Sequence, residues 1–246
     1  MNRVNVISFI FVAVAVSVSF TGCWQSPGSM RLKPGQMDTL QEREVACFNK
    51  IELDGNFTVY LQNATACRVT VEGEEEVLST VITEVDNETL RIGYMNEQLM
   101  PMDHSVVVNI MVKDLYAIKG QKSIKMITTD IFEFHDLDLD FAGAVDLEME
   151  LAGQQLTGVF AGASLVDFRG KVDTIKMEMP GAGKFKAFDL EVQNADLNLA
   201  GAGKAEVYVT GELRVNMAGA CYVSYKGKPA NVYSNISGIG RLKKVE

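Results

Sequence analysis

Hydrophobic and polar residues alternate one for one through most of the second half of the chain. Before Gly181, the apolar Ile175, Met177 and Met179 are separated by Lys176 and Glu178. Before Gly201 stand Ala195, Leu197 and Leu199, with Asp196 and Asn198 between them. Before Gly219 stand Leu213, Val215 and Met217, with Arg214 and Asn216 between them. The alternation resumes beyond each glycine, as in Ala205, Val207 and Val209, and in Val223 and Tyr225. A period of two predicts strands with one buried face. Each unit therefore reads as a short strand, a glycine corner and another short strand.

The corner itself recurs as a phrase. It is Phe141-Ala142-Gly143-Ala144, then Phe160-Ala161-Gly162-Ala163, Met179-Pro180-Gly181-Ala182, Leu199-Ala200-Gly201-Ala202, Met217-Ala218-Gly219-Ala220 and Ile236-Ser237-Gly238-Ile239. The glycines lie 19, 19, 20, 18 and 19 residues apart. A unit this short with one buried face cannot fold alone, whereas stacked units bury a continuous core. The spacing therefore predicts an all-β fold, a parallel β-helix of about 19 residues per coil, with a right-handed coil favoured. A propeller blade needs about 40 residues per repeat. A left-handed hexapeptide helix needs a six-residue subperiod that the sequence lacks.

The first half is less regular. Ile51, Leu53, Phe57, Val59 and Leu61 alternate around Gly55, and 68–71, 89–94 and 106–112 read as further strands. Gly55, Gly73 and Gly93 hint at the same period. Residues 46–118 are expected to form an irregular N-terminal β region that caps the regular repeats of 119–246, since a bare end exposes strand edges.

Ahead of this lies a leader. Arg3 precedes an apolar run from Val6 to Phe20, too short to span a bilayer as a helix and suited to a signal peptide. The run ends at Phe20-Thr21-Gly22-Cys23, which resembles a lipobox with Phe in place of the usual Leu. Residues 1–22 are thus expected to be removed and Cys23 to carry lipid. Acyl chains contribute about 0.8 kcal/mol per buried methylene, anchoring the protein to an envelope membrane, the outer membrane being favoured. Residues 23–45, with Pro27, Gly28, Pro34 and Gly35, read as the tether. An ordinary secretory signal or a single membrane anchor is the alternative. The formal charge of -9 argues against nucleic acid as a partner.

Little catalytic chemistry is visible. Asp136, Asp138 and Asp140 share the outer face of one strand, and Asp146, Glu148 and Glu150 follow the next corner. Carboxylates gathered in this way can hold a hard cation, but outward positions of an amphipathic strand are normally charged, and neighbouring repeats do not continue the cluster. Neither a metal nor another cofactor is therefore expected. His104 and His135 form no zinc motif or nucleophile–base pair. Cys47 and Cys67, 20 residues apart, are expected either to form a disulfide in an oxidising compartment or to remain two buried thiols. Cys221 reads as a small, buried corner residue.

The segment Ile51-Glu52-Leu53-Asp54-Gly55-Asn56-Phe57-Thr58-Val59-Tyr60-Leu61, the pieces Thr83-Glu84-Val85 and Leu90-Arg91-Ile92, the leader and the string of Gly-Ala corners together resemble the putative auto-transporter adhesin, head GIN domain family of Bacteroidetes-type bacteria. The resemblance runs over 46–246. It departs from the family at the corners, where Ala mostly replaces the first Ser and Ser237 keeps it. It implies a right-handed β-helix, a role in adhesion and no catalytic residues. The expected function is a non-catalytic binding protein held by lipid at the cell envelope. A carbohydrate-active enzyme on the same fold and a periplasmic structural or signalling partner are the alternatives. Three and five residues past successive corners stand Lys184 and Lys186, Lys204, Tyr222, and Arg241 and Lys243, with Tyr208 nearby. This basic, tyrosine-bearing face is the candidate contact for an anionic glycan or a protein, with ordinary charge scatter as the alternative. The sequence leaves oligomeric state and surface or periplasmic orientation open.

Overall fold

The computed structural model describes residues 38–96, 98, 101–103 and 106–246. The leader, Cys23, the first part of the expected tether and His104 lie outside them. Almost all of the described chain is strand. In order come β1 (Thr39–Arg43), β2 (Lys50–Asn63), β3 (Arg68–Gly73), a one-turn helix α1 (Glu75–Leu78), β4 (Val81–Asp86), β5 (Thr89–Tyr94), β6 (Val106–Val112), β7 (Ala117–Thr128), β8 (Phe132–Lys226), β9 (Asn231–Gly238) and β10 (Arg241–Lys244). They join in one open sheet.

β8 is an unbroken run of 95 extended residues. Straight, it would stretch for about 300 Å at the usual rise per residue, so it must turn repeatedly. Many of its turns are the corner glycines: Gly143, Gly162, Gly201 and Gly219 all have positive φ, which side chains rarely adopt. These glycines lie directly on one another. A Cβ placed on Gly162 would come within 2.3 Å of the Gly143 carbonyl oxygen; on Gly181, 2.4 Å from that of Gly162; on Gly219, 2.4 Å from that of Gly201. The column begins one row earlier at Lys122, a non-glycine residue at φ 73 whose carbonyl faces Gly143 in the same way.

Where strands outside β8 join it, the pairing is parallel. β7 runs beside β8 with Ala117 opposite Asp138, β9 with Glu212 opposite Asn231, and β10 with Tyr222 opposite Arg241. Inward side chains stack in the same register. Phe141 lies on Phe160 with centroids 6.0 Å apart, and Phe168 meets Phe185 edge-on at 5.8 Å. All four rings are buried, and burial of each contributes about 1.5–3 kcal/mol.

The N-terminal region differs from the periodic hint at Gly55, Gly73 and Gly93. β3 is antiparallel to both β1 and β6, and β4 is antiparallel to β5, while β5, β6 and β7 run parallel to β2. Thr39–Arg43, within the stretch expected as tether, is strand β1 and pairs with β3. A side chain from β1 helps close this end, since the Arg43 guanidinium donates to the Leu78 carbonyl at 3.0 Å. A disulfide joins Cys47 to Cys67, with Cα atoms 5.2 Å apart. Neither cysteine is buried. Cys221 is a buried free thiol. No helix among the described residues is long and apolar enough to cross a membrane.

Candidate functional site

Alternation leaves two long polar surfaces. One is built from side chains ahead of each corner, the other from those after it. The strands fix their spacing, so each outward residue has its neighbours on adjacent strands rather than in sequence.

The surface after the corners carries the basic residues. The β8–β10 register puts Arg241 beside Tyr222 and Lys243 beside Ser224. Much of its charge is neutralised locally. Lys186 pairs with Asp167 at 3.5 Å, Asp167 also takes Arg169 at 3.4 Å, and Lys204 pairs with Glu206. Farther back, Lys125 bridges Asp146 and Glu148 at 3.6 and 3.5 Å. Lys184, Arg241 and Lys243 form no ion pair with another described residue. Tyr208 does not stand open: the Lys226 ammonium lies over its ring at 5.0 Å and over that of Phe188 at 5.6 Å. Ser224, five residues past Gly219 as Lys186 is past Gly181, is nevertheless buried. Lys171, beside this surface, is hydrogen-bonded to Glu191, and that bond raises its pKa.

The surface ahead of the corners is mixed in charge. At its N-terminal end Arg91 binds Glu52 at 3.0 Å and Asp86 at 3.5 Å. The hydrogen bond to Glu52 is the main cause of a raised Arg91 pKa. Arg91 and Glu52 line a shallow depression of about 440 Å³ with Asp54, Lys119 and Gln121. Asp138 and Asp140 lie opposite Ala117 and Lys119, and Asp136 contacts His135 Nδ1 at 3.0 Å. Among the described residues no group of three His, Cys, Asp or Glu side chains converges as a metal site.

Toward the C-terminal end of the same surface, paired groups return. The Asn216 amide donates to the Asn198 carbonyl oxygen at 2.8 Å, and Arg214 binds Glu212 at 2.7 Å and stands over the Tyr233 ring at 5.7 Å. Between these paired ends lies a second depression of about 240 Å³, lined by Gln155, Thr157, Thr174, Lys176, Asn194 and Asp196, with Glu212 and Arg214 on its rim and Ile175 and Ala195 in its floor. One Asp196 carboxylate oxygen is shut off from solvent and receives no hydrogen bond. Reading one strand at a time missed this place. It depends on which outward side chains from different rows come together, and no local motif records that.

Comparison with known proteins adds a family and a set of folds. The model of the family described as putative auto-transporter adhesin, head GIN domain, matches residues 47–229. No curated protein matches the chain. Among solved structures, a putative adhesin from Bacteroides fragilis superposes with a TM-score of 0.79 at 17% identity, covering 87% of this chain and 100% of that one. A putative lipid binding protein from Parabacteroides distasonis gives 0.66 at 22% identity, covering 87% and 98%. A putative adhesin from Parabacteroides merdae gives 0.63 at 18%, with the same coverage. At these identities the likeness is one of fold.

Proposed function

The chain belongs to the putative auto-transporter adhesin, head GIN domain family, and from that premise we propose that it is a non-catalytic binding protein of the cell envelope. Its N-terminal leader is removed and lipid on Cys23 anchors it, with the outer membrane as the favoured site. Its body is a right-handed β-helix of about 19 residues per coil, and it holds a glycan or a protein against one outward polar face.

The observation that carries this reading is the column of corner glycines, each resting on the carbonyl of the one before. Corners so aligned hold successive rows in register. The outward side chains then form extended, rigid faces, which suit recognition of a long partner better than chemistry at one point. The 19-residue offset between β8 and β9, and between β8 and β10, supports the coil. The family's description supports adhesion. On the basic face, the groups free to meet an anionic partner are Lys184, Arg241 and Lys243, with Tyr222 beside Arg241. Lys186 and Lys204 meet it as members of ion pairs.

Protease accessibility on intact native cells tests the reading, beside a Cys23→Ala control. Digestion on intact cells, with release of the control from membranes, is the outcome expected of a lipid-anchored adhesin. Protection until the outer membrane is broken would overturn surface adhesion and direct the search to periplasmic partners.

A further inference from the structure

Several outward polar side chains at both ends of the surface ahead of the corners are tied to each other, Arg91 with Glu52, Arg214 with Glu212 and Asn216 with Asn198. The 240 Å³ depression between them is different. Gln155, Thr157, Thr174, Lys176, Asn194 and Asp196 make no side-chain hydrogen bond or ion pair with another described residue. Lys176 and Asp196 line the same depression without pairing. Of the two Asp196 oxygens one is closed to solvent, and the other is open with no donor from the protein, so it can accept from outside. Six groups that do not pair therefore converge on one shallow trough.

From this we infer that the trough is a binding site for a neutral polysaccharide, an inference that rests on the proposed binding function and names its ligand class. Three properties select that ligand. First, the trough has no net charge: Lys176 balances Asp196, and Arg214 balances Glu212 on the rim. A polyanion or polycation gains nothing there that the basic face does not offer better. Second, hydroxyls, amides, one carboxylate and one ammonium match the alternating donors and acceptors of vicinal sugar hydroxyls. The other Asp196 oxygen, which is not closed off, accepts from one of them. Third, the trough itself offers a protein no apolar pocket, because its floor residues Ile175 and Ala195 are buried, and the anchors of protein interfaces fill such pockets. At about 240 Å³ the trough is smaller than the roughly 300–1,000 Å³ of pockets that enclose a small molecule. The ligand accordingly lies across it as a chain, with consecutive sugars meeting consecutive rows.

Affinity electrophoresis of the purified full chain tests this, in gels containing dextran, mannan, xylan or arabinogalactan, with polygalacturonate as the anionic comparison. Retardation by at least one neutral polymer is expected. It should survive about 0.5 M NaCl, since the contact does not depend on unscreened charge. Asp196→Asn, which weakens the acceptor, and Thr157→Trp, which fills the trough, should each weaken binding by about tenfold or more, the scale of one lost charge-assisted hydrogen bond. Glu44→Gln, at an exposed position just after β1 and outside both faces, should change nothing. Far-UV circular dichroism checks that each variant is folded. No retardation by any neutral polymer, or retardation that both trough variants leave intact, overturns the inference. Salt-sensitive retardation by polygalacturonate alone, abolished by Lys184→Glu with Lys243→Glu, also overturns it but leaves the proposed binding function standing on the basic face.

Discussion

Replacing Gly162 by Ala tests whether corner-on-corner packing holds the fold. Gly162 has φ +127, and a Cβ there would sit 2.3 Å from the Gly143 carbonyl oxygen and 3.1 Å from its carbon and nitrogen. Ordinary contact would require the two rows to part by about 1 Å, and the obstacle is backbone, which no rotamer change can move. The unfavourable φ costs about 1–3 kcal/mol, and overpacking a close contact costs a further 1–3 kcal/mol or so. Together these amount to about 2–6 kcal/mol, a large share of the roughly 5–15 kcal/mol that stabilises a folded domain. Gly203 is the internal control. Its conformation is not left-handed, and the nearest atom to its Cβ is the Leu199 Cδ2 methyl at 3.2 Å, the mobile end of a side chain. Gly203→Ala should be close to neutral, because a small steric cost opposes a gain of about 0.4–1 kcal/mol from a stiffer unfolded chain. Urea unfolding followed by far-UV circular dichroism measures both. A thermal scan should show Gly162→Ala lowered by about 2–4 °C for each kcal/mol lost. If the two variants unfold within about 0.5 kcal/mol of each other, an ordinary surface substitution, the glycine column does not set the register and the argument fails.

Other perturbations reach other parts of the molecule. Burial pushes the Tyr94 phenol well above its ordinary value, with the charge of Asp103 adding to the effect. The folded state thus favours the neutral phenol; the associated stability is complete below about pH 10 and is lost as pH rises further toward the folded pKa. The drop in urea midpoint between pH 9 and 11 should be smaller in Tyr94→Phe than in the wild type, and equal drops would contradict the burial. Reducing the Cys47–Cys67 disulfide, or replacing both residues by Ser, should cost about 2–4 kcal/mol, read as a midpoint difference with and without dithiothreitol. Lys226→Met removes the ammonium over Phe188 and Tyr208 and should cost about 0.5–1 kcal/mol, with a change in tyrosine fluorescence expected alongside it.

The regular part of the fold was legible because two signals coincide there. Period-two alternation marks which side chains go inward, and the recurring glycines mark where the chain turns. Leu197 and Val215 could be placed in the core, and Gly201 under Gly219, without knowing any contact. Strand direction was not legible, because alternation reads the same forwards and backwards. β3 looks like a further member of the series and runs the other way. β1 is short and only half-buried, so its Leu40 and Glu42 gave no apolar stripe to find. The basic face was visible as a list of lysines; the acids that neutralise Lys186 and Lys204 stand one repeat back at Asp167 and two residues along at Glu206, but whether side chains so placed pair depends on rotamers that spacing does not fix. The trough was invisible for the same reason: Asp196 reads like any outward acid until Lys176 and Arg214 are found beside it in the trough and not paired with it.

The spacing of the corners also sets a rule for how such a gene can change. Gly181 and Gly201 are 20 residues apart, and Gly201 and Gly219 only 18. One row is a residue too long and the next a residue too short, and Gly219 still lands on Gly201 as Gly162 lands on Gly143. Gly201 likewise lands on Gly181, so a single-codon insertion or deletion is tolerable where a row can absorb it before its next corner, whereas inside a strand segment it turns the inward side chains of that segment outward. Duplication or loss of a whole unit carries no such penalty. Lineages of this chain should accordingly differ in the number of units more readily than in the length of any one.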